Sequence, residues 1–507
     1  MPNKKFIAVI FCITIIMGTI FIIASCDNSN NQNNNPGNIV DNTDGGLNQS
    51  NSDIEEPAEK DRASVPDNVP PDLKFSGNTF TILSREEFQF GTEMGVDEEN
   101  GDIVNDAVFR RNKAIEDRFD ITIDVIKIPG IWGKEASFNN TVKNSVKAGD
   151  NAYDLIAGYA AAVTPLATDG VLLNWNKVPY IDYGAPWWIE KLADELTVDG
   201  KLYFITGDLS QTMIGSMMMF FFNKRLQSDY AAEDLYQTVL DGKWTYDKLY
   251  SISKEVYKDT NGDGIKNIGD TFGLGVETGN FTDLMFVSMG MALTERGEDG
   301  FPYIVAKSPK ASDILEKLLD LFYENPGVYR TTETTERPTR EMFRRGESLF
   351  YIGMIVFAED LRDMKDDFGI IPSPKYDENQ EKYQGLTQDA FSLFSVPSTC
   401  DRLEFVGAVT EAMAAESYRY VTPAYYETAL KIKYARDDVT SQMLDIIRGG
   451  IYFDFGYVNT LSMGGIHFLF RDLVEKNSRD FISAYEKNEQ SYEKAMEKLL
   501  EAYKDLD

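Results

Sequence analysis

The sequence predicts an α/β protein, and three observations at the start of its folded part carry that reading. Thr79-Phe80-Thr81-Ile82-Leu83 alternates, with Phe80 and Ile82 on one face. Val104, Val108, Ile115 and Phe119 then recur at helical spacing through a charged stretch. Ile121-Thr122-Ile123-Asp124-Val125 alternates again. Strand, helix and strand in that order imply parallel pairing through a crossover helix.

The later elements follow from the same periodicities. A polar helix is expected near 137–149, leading to a short buried strand, Tyr153-Asp-Leu-Ile-Ala157, that ends at Gly158. The chain turns around Gly200 and runs Leu202-Tyr-Phe-Ile205 into Gly207-Asp208. Ile214 to Phe222, centred on Met217-Met-Met-Phe-Phe-Phe222, is far too short to span a membrane and reads as a buried strand. Amphipathic helices are expected over 310–325 and 340–347, and Leu349-Phe-Tyr-Ile-Gly353 opens a second αβ stretch. A charged helix pair closes the chain over 475–507, around Phe481, Tyr485, Leu499 and Tyr503.

Composition narrows the function classes. The 507 residues suggest two large domains or about three smaller ones. Acids outnumber bases 82 to 50, for a net charge of −32. A chain this acidic is repelled by phosphate and anionic lipid, so nucleic acid is not an expected partner. The single histidine, His467, argues against multi-histidine metal sites and leaves any Ser-His or Cys-His mechanism dependent on one residue. His467 itself sits in an apolar stretch and reads as a buried or half-buried core histidine. Cys12, Cys26 and Cys400 do not form a disulfide framework.

The N-terminus points to export. Lys4 and Lys5 precede an apolar run from Phe6 to Ala24, which reads as a signal peptide over residues 1–25. Ile23-Ala24-Ser25-Cys26 resembles the lipobox of bacterial lipoproteins, which implies cleavage before Cys26 and lipidation of that cysteine; an uncleaved anchor is the alternative. Residues 28–52 contain ten asparagines, and the stretch to Lys74 adds Pro57, Pro66, Pro70 and Pro71. Residues 26–74 are therefore expected to form a disordered tether with a reach of roughly 35–40 Å. This places the body outside the cytoplasmic membrane.

An ordered set of segments carries a wider resemblance. Gly101-Asp-Ile-Val-Asn-Asp-Ala-Val-Phe-Arg-Arg-Asn-Lys-Ala-Ile-Glu116 and Tyr153-Asp-Leu-Ile-Ala-Gly158 resemble bacterial extracellular solute-binding proteins of ABC transporters. Phe222-Asn-Lys224, Trp244-Thr-Tyr-Asp247, Phe343-Arg-Arg-Gly-Glu347, Phe368-Gly-Ile-Ile-Pro-Ser-Pro-Lys375 and Ala424-Tyr-Tyr-Glu427 fit the same group in the same order. The nearest likeness is to the family-1, carbohydrate-type lipoproteins. The resemblance implies a two-lobed periplasmic-binding-protein-like fold of type II, with hinge-crossing strands and ligand held between the lobes. Lobe 1 is expected to comprise 75–207 plus 388–425, and lobe 2 to comprise 208–387 plus 426–507. The implied function is capture of a carbohydrate, such as an oligosaccharide, by a monomer that delivers it to ABC permease subunits. The alternatives are a non-transport glycan-binding adhesin or sensor, and a secreted glycan-active enzyme.

Ligands of open α/β sheets sit beyond the carboxyl ends of strands, and a sugar site wants aromatic platforms beside carboxylates, arginine and amides. The strand ends offer Arg85, Glu86, Tyr159, Asp208 and Asp389. Trp132, in a loop after Pro129-Gly130, is a further candidate. Trp187 and Trp188 are either stacking platforms or packing anchors, and Tyr351 and Tyr425 either face the ligand or belong to the core.

Residues 259–270 match a calcium-loop pattern. Asp259, Asn261, Asp263, Ile265 through its carbonyl, Asn267 and Asp270 occupy the ligand positions, with Gly264 at the turn. Asp270 stands where glutamate is usual, and the following Thr271-Phe-Gly-Leu-Gly275 looks like a strand instead of an exit helix. One structural Ca2+ is the metal expectation; a turn held by Asx hydrogen bonds alone is the alternative.

Overall fold

The structure, a computed structural model, describes residues 62–87, 91–230, 233–332, 337–431 and 438–506. The signal peptide, Cys26 and the Asn-rich part of the tether lie outside the described residues.

Two sheets form the cores of two lobes. The first contains β1 (Asn78–Arg85), β2 (Ile121–Ile128), β3 (Leu155–Tyr159) and β11 (Ser392–Ser395), in the order β11-β3-β1-β2. β1 pairs parallel with β2 and β3, and β11 is antiparallel to β3. The helix Ile103–Phe119 makes the first crossover. Asp102 caps its start by accepting from the backbone N–H of Val104 and Asn105 at 3.1 and 2.9 Å. Its buried face carries Val108, Ile115 and Phe119.

The second sheet contains β4 (Met218–Asn223), β5 (Phe272–Glu277), β8 (Val328–Thr331), β9 (Ser348–Met354) and β10 (Phe368–Ile371), in the order β10-β4-β9-β5-β8. A small hairpin of β6 (Thr294–Arg296) and β7 (Pro302–Ile304) flanks it. Every residue of β4, β5 and β9 is buried, which is why these strands read as unbroken apolar runs instead of alternating. The expected helices correspond to Glu135–Ala148, Pro309–Leu319 with its continuation Asp320–Glu324, and Pro338–Arg344. No helix among the described residues is long and apolar enough to cross a membrane.

Two expected strands turn out differently. Ile214–Phe222 is not one strand: a short helix, Gln211–Gly215, precedes β4. Ser210 caps that helix, and Gly215 lets Tyr425 approach so closely that a Cβ there would lie 2.4 Å from the Tyr425 hydroxyl. Leu202–Ile205 likewise forms no strand, because only Ile205 pairs, exchanging backbone hydrogen bonds with Phe394 at 3.1 and 2.8 Å. It lies on one of two connections that pass side by side between the lobes. Thr206 donates to the Ser392 carbonyl at 2.8 Å, and further along Gln388 N–H donates to Ser216 O at 2.9 Å.

The chain ends also depart from expectation. Residues 62–74, assigned to the tether by composition, are seated on the first lobe. Arg118 grips the Asp67 carboxylate with two bonds of 2.8 Å, Arg419 adds a third at 3.2 Å, and Val69 is buried. The terminal residues form Phe468–Glu475, Phe481–Glu486 and Glu489–Asp505. The last of these reaches the first lobe, where Tyr503 packs on Tyr203 with ring centroids 5.7 Å apart. Lys201 Nζ also donates to the Tyr503 carbonyl there, at 2.8 Å. Burial of Tyr503, which a helix confined to the second lobe would leave exposed, accounts for the placement.

Candidate functional site between the lobes

Four of the sequence-derived candidates converge where β1 and β3 end. Arg85, the last residue of β1, is fully buried. It donates to the Ala390 carbonyl at 2.7 Å and the Ser392 hydroxyl at 2.9 Å. Its guanidinium carbon stands 5.6 Å from the Tyr159 ring centroid. Tyr159, at the end of β3, donates to Asp389 Oδ1 at 3.3 Å, and Gln388 Nε2 donates to the same oxygen at 2.8 Å. Burial raises the Asp389 carboxyl to about 6, against the opposing pull of the Arg471 cation.

Trp132 is placed by the loop that follows β2. The Glu87 carboxylate accepts from the N–H of Gly130 at 3.0 Å and of Ile131 at 3.2 Å. Gly130 is required, since a Cβ there would fall 2.6 Å from Arg85 Cγ and 2.9 Å from the Phe138 ring. The loop leaves Trp132 53% exposed. Its ring still lies edge-on to Tyr159 at 6.5 Å and to Phe468, from the second lobe, at 6.2 Å.

The second-lobe wall is the part that sequence reasoning missed. Arg471, on the helix Phe468–Glu475, donates through Nε to both oxygens of Asp283 at 2.9 and 3.0 Å, and its Nη2 also bonds Asp283. Tyr457 donates to Asp283 at 3.2 Å. His467 is buried as expected, with Nδ1 paired to Thr460 Oγ1; burial lowers the ring to about 4, so it is neutral. One signal was available: an arginine inside the apolar run Ile466–Leu473 has to find a buried acid. Which acid, 188 residues away, has no local signature.

Behind Arg85 runs a buried ionic network. Glu93 accepts from Ser210 Oγ at 2.8 Å and from Thr212 N and Oγ1 at 3.0 and 2.7 Å, and Ser392 Oγ also donates to it. Arg111 donates to the carbonyls of Glu93 and Met94 at 3.1 and 2.9 Å. Burial lowers both Arg85 and Arg111 to about 10, with Glu93 opposing the shift. This network ties the end of β1 to both interlobe connections.

The remaining candidates lie elsewhere. Trp187 and Trp188 are buried, and both indole N–H groups donate to Glu411, at 3.1 and 2.7 Å. Asp208 is buried with Arg448 3.8 Å away, and its N–H donates to the Trp187 carbonyl at 2.9 Å. Tyr351 sits inside the second lobe, 5.7 Å from both Phe221 and Phe343. Tyr425 packs against Gly215. Glu86 is exposed at the end of β1, and its neighbour Glu87 is the residue that holds the Trp132 loop.

In the 259–270 loop the polar side chains hydrogen-bond within the loop. Asp259 accepts from Gly262 and Gly264 N–H at 2.7 and 3.0 Å, and Asp263 accepts from Ile265 N–H at 2.7 Å. Asn267 Nδ2 donates to Asp263 and Asn261 Nδ2 to Asn267 Oδ1, at 2.7 and 2.8 Å. Asp270 accepts from Thr260 N–H and Asn267 N–H, each at 3.2 Å. Among the described residues no group of three or more His, Cys, Asp or Glu side chains is arranged as a metal cluster.

The chain is similar to known proteins at two levels. The family described as "Bacterial extracellular solute-binding protein" matches residues 113–410. No curated protein matches. Among solved structures, the GacH receptor of Streptomyces glaucescens, studied unliganded and with acarbose, is 14% identical with a TM-score of 0.52, covering 86% of this chain and 100% of that one. An ABC substrate-binding protein from Listeria monocytogenes in complex with cycloalternan is 14% identical with a TM-score of 0.52, covering 83% and 99%. UgpB from Mycobacterium tuberculosis in complex with glycerophosphocholine is 13% identical with the same TM-score of 0.52, covering 83% and 99%.

Proposed function

This chain belongs to the bacterial extracellular solute-binding proteins, and on that footing we propose that it is the carbohydrate-binding subunit of an ABC importer. In this reading a monomer, anchored outside the cytoplasmic membrane by a lipid on Cys26, closes its lobes over an oligosaccharide and hands it unchanged to permease subunits. The observation that carries the reading is the interlobe cluster. Trp132 meets Tyr159 on its own lobe and Phe468 across the lobes, beside Asp389 and the Asp283–Arg471 pair. Aromatic rings suit the C–H faces of sugars, and carboxylates accept their hydroxyls. Arg85, Glu93, Arg111, Asp283, Asp389 and Arg471 supply three cations and three carboxyls, which favours a neutral, hydroxyl-rich ligand over an ion. A bound sugar favours closure only through contacts that the open form lacks.

The test is calorimetric titration of the full chain with linear and cyclic gluco-oligosaccharides, using glycerophosphocholine as the non-sugar comparison. Saturable binding of a sugar, with compaction in small-angle scattering, is the expected outcome. Binding of glycerophosphocholine alone would overturn the carbohydrate assignment.

We also propose that the 259–270 loop takes one structural Ca2+. Side-chain oxygens of Asp259, Asn261, Asp263, Asn267 and Asp270 and the Ile265 carbonyl would hold it, and the match of these residues to the calcium-loop spacing supports the reading. Calcium is expected to raise the melting temperature and chelator to lower it, with the difference lost in Asp259→Ala. A melting temperature indifferent to both sinks the assignment.

A further inference from the structure

Little burial holds the loop that carries Trp132. Ile131 and Trp132 are 40% and 53% exposed, so removal of apolar surface from water does little to fix them. Gly130 and Gly133 bracket the pair, and Gly133 adopts a φ of 86°, a conformation that glycine takes at no steric cost. A segment of this kind has many backbone conformations open to it, and holding it in one costs conformational entropy.

Glu87 supplies the restraint. It lies just beyond the end of β1, whereas the loop follows β2, so its side chain crosses from one strand end to the next. Its Oε1 accepts from the N–H groups of Gly130 and Ile131 at 3.0 and 3.2 Å, and its Oε2 accepts from Gly130 at 3.2 Å. Among the described residues these are the only side-chain hydrogen bonds made to residues 129–133. Bonds from backbone N–H to a carboxylate are charge-assisted and stronger than neutral ones. Gly130 meanwhile sits close upon Arg85, where a Cβ would not fit. So seated, the loop sets the Trp132 ring beside Tyr159 and Phe468.

We propose that Glu87 is a positioning residue for the cleft: without touching the ligand, its bonds to Gly130 and Ile131 hold the Trp132 ring where an oligosaccharide packs on it. The ligand in this inference rests on the carbohydrate reading, while the placement of Trp132 by Glu87 stands without it.

Trp132 is the one exposed tryptophan of five; Trp175, Trp187, Trp188 and Trp244 are buried. In the full chain labelled with 5-fluorotryptophan, Trp132→Phe identifies the Trp132 resonance by 19F NMR, and the other resonances report the fold. Glu87→Ala is expected to shift the Trp132 resonance towards that of free indole and to leave the others in place. Glu87→Gln keeps an oxygen able to accept from both N–H groups, as Oε1 already does, and is expected to retain the unaltered resonance. In calorimetry Glu87→Ala is expected to weaken gluco-oligosaccharide binding roughly fivefold or more, and to have no further effect in the Trp132→Ala background. Should Glu87→Ala not fold, Glu87→Ser takes its place. A Trp132 resonance indifferent to Glu87→Ala overturns the assignment, as does an equal loss of affinity in the Trp132→Ala background. If no gluco-oligosaccharide binds the unaltered chain, the carbohydrate reading fails and the 19F comparison still decides the role of Glu87.

Discussion

Trp188 donates its indole N–H to Glu411 at 2.7 Å, and the other oxygen of the same carboxylate accepts from Trp187. Burial raises the Glu411 carboxyl to about 7 despite these bonds. An acid whose folded pKa lies above its ordinary 4.5 keeps its proton longer in the native state. That favours the fold below about 4.5, and the advantage is lost as pH rises to about 7. Glu411→Gln should flatten this slope, by on the order of 2–3 kcal/mol across the window. Urea denaturation of both proteins at the two ends of the window checks it; parallel pH profiles would contradict it.

His467 works in the opposite direction. Its folded pKa is depressed to about 4 from 6.5 by burial. Its contribution is therefore fully present above 6.5 and lost as pH falls towards 4. His467→Asn should reduce the loss of stability on acidification over that range. Melting curves collected at pH 7.5 and pH 5 for both proteins give the comparison.

Trp132 is half exposed, with its ring beside Tyr159 and Phe468. Trp132→Ala is expected to weaken oligosaccharide binding by about 1–2 kcal/mol, or roughly 5–30-fold, with little change in melting temperature. Equal affinity in calorimetry would remove Trp132 from the site.

Asp283 neutralises a buried arginine. Asp283→Asn should cost about 3–5 kcal/mol of folding stability, because it leaves Arg471 unpaired. Pairing it with Arg471→Met should recover much of that loss. A double-mutant cycle in urea measures the coupling, and additive losses would mean the pair is unimportant.

Gly207 admits no side chain. A Cβ there would stand 1.9 Å from the Trp187 carbonyl oxygen, a backbone atom that no rotamer change can move. Gly207→Ala should cost about 3 kcal/mol or more. Soluble protein with an unchanged melting temperature would show that the connection can shift to make room.

How far the sequence reveals this architecture depends on the range of the interactions involved. β1, the helix Ile103–Phe119 and β2 declare themselves through local periodicity and β9 through its unbroken apolar run, neither of which needs knowledge of partners. Arg85 and Tyr159 were legible as candidates because strand ends are the places where α/β sheets present side chains, and Asp389 because its segment resembles the return crossing between lobes. Asp283, Tyr457 and Arg471 were not, since their roles arise from contacts across well over a hundred residues. Trp187 and Trp188 illustrate the same limit. Their spacing announces large aromatics, while only the fold reveals that Glu411 holds both inside the first lobe.

The terminal helix Glu489–Asp505 has a mechanical consequence. Near its start Tyr492 packs on Tyr485, whose helix joins the second lobe through Phe481 and Phe470, and at its far end Tyr503 is fastened to Tyr203. Seventeen helical residues make a stiff rod of about 25 Å. A rod pinned to two bodies keeps its anchor points at constant separation. The lobes are then not free to spread in every direction. Any relative movement of the lobes then has to keep Tyr203 and Tyr485 at the separation the rod sets.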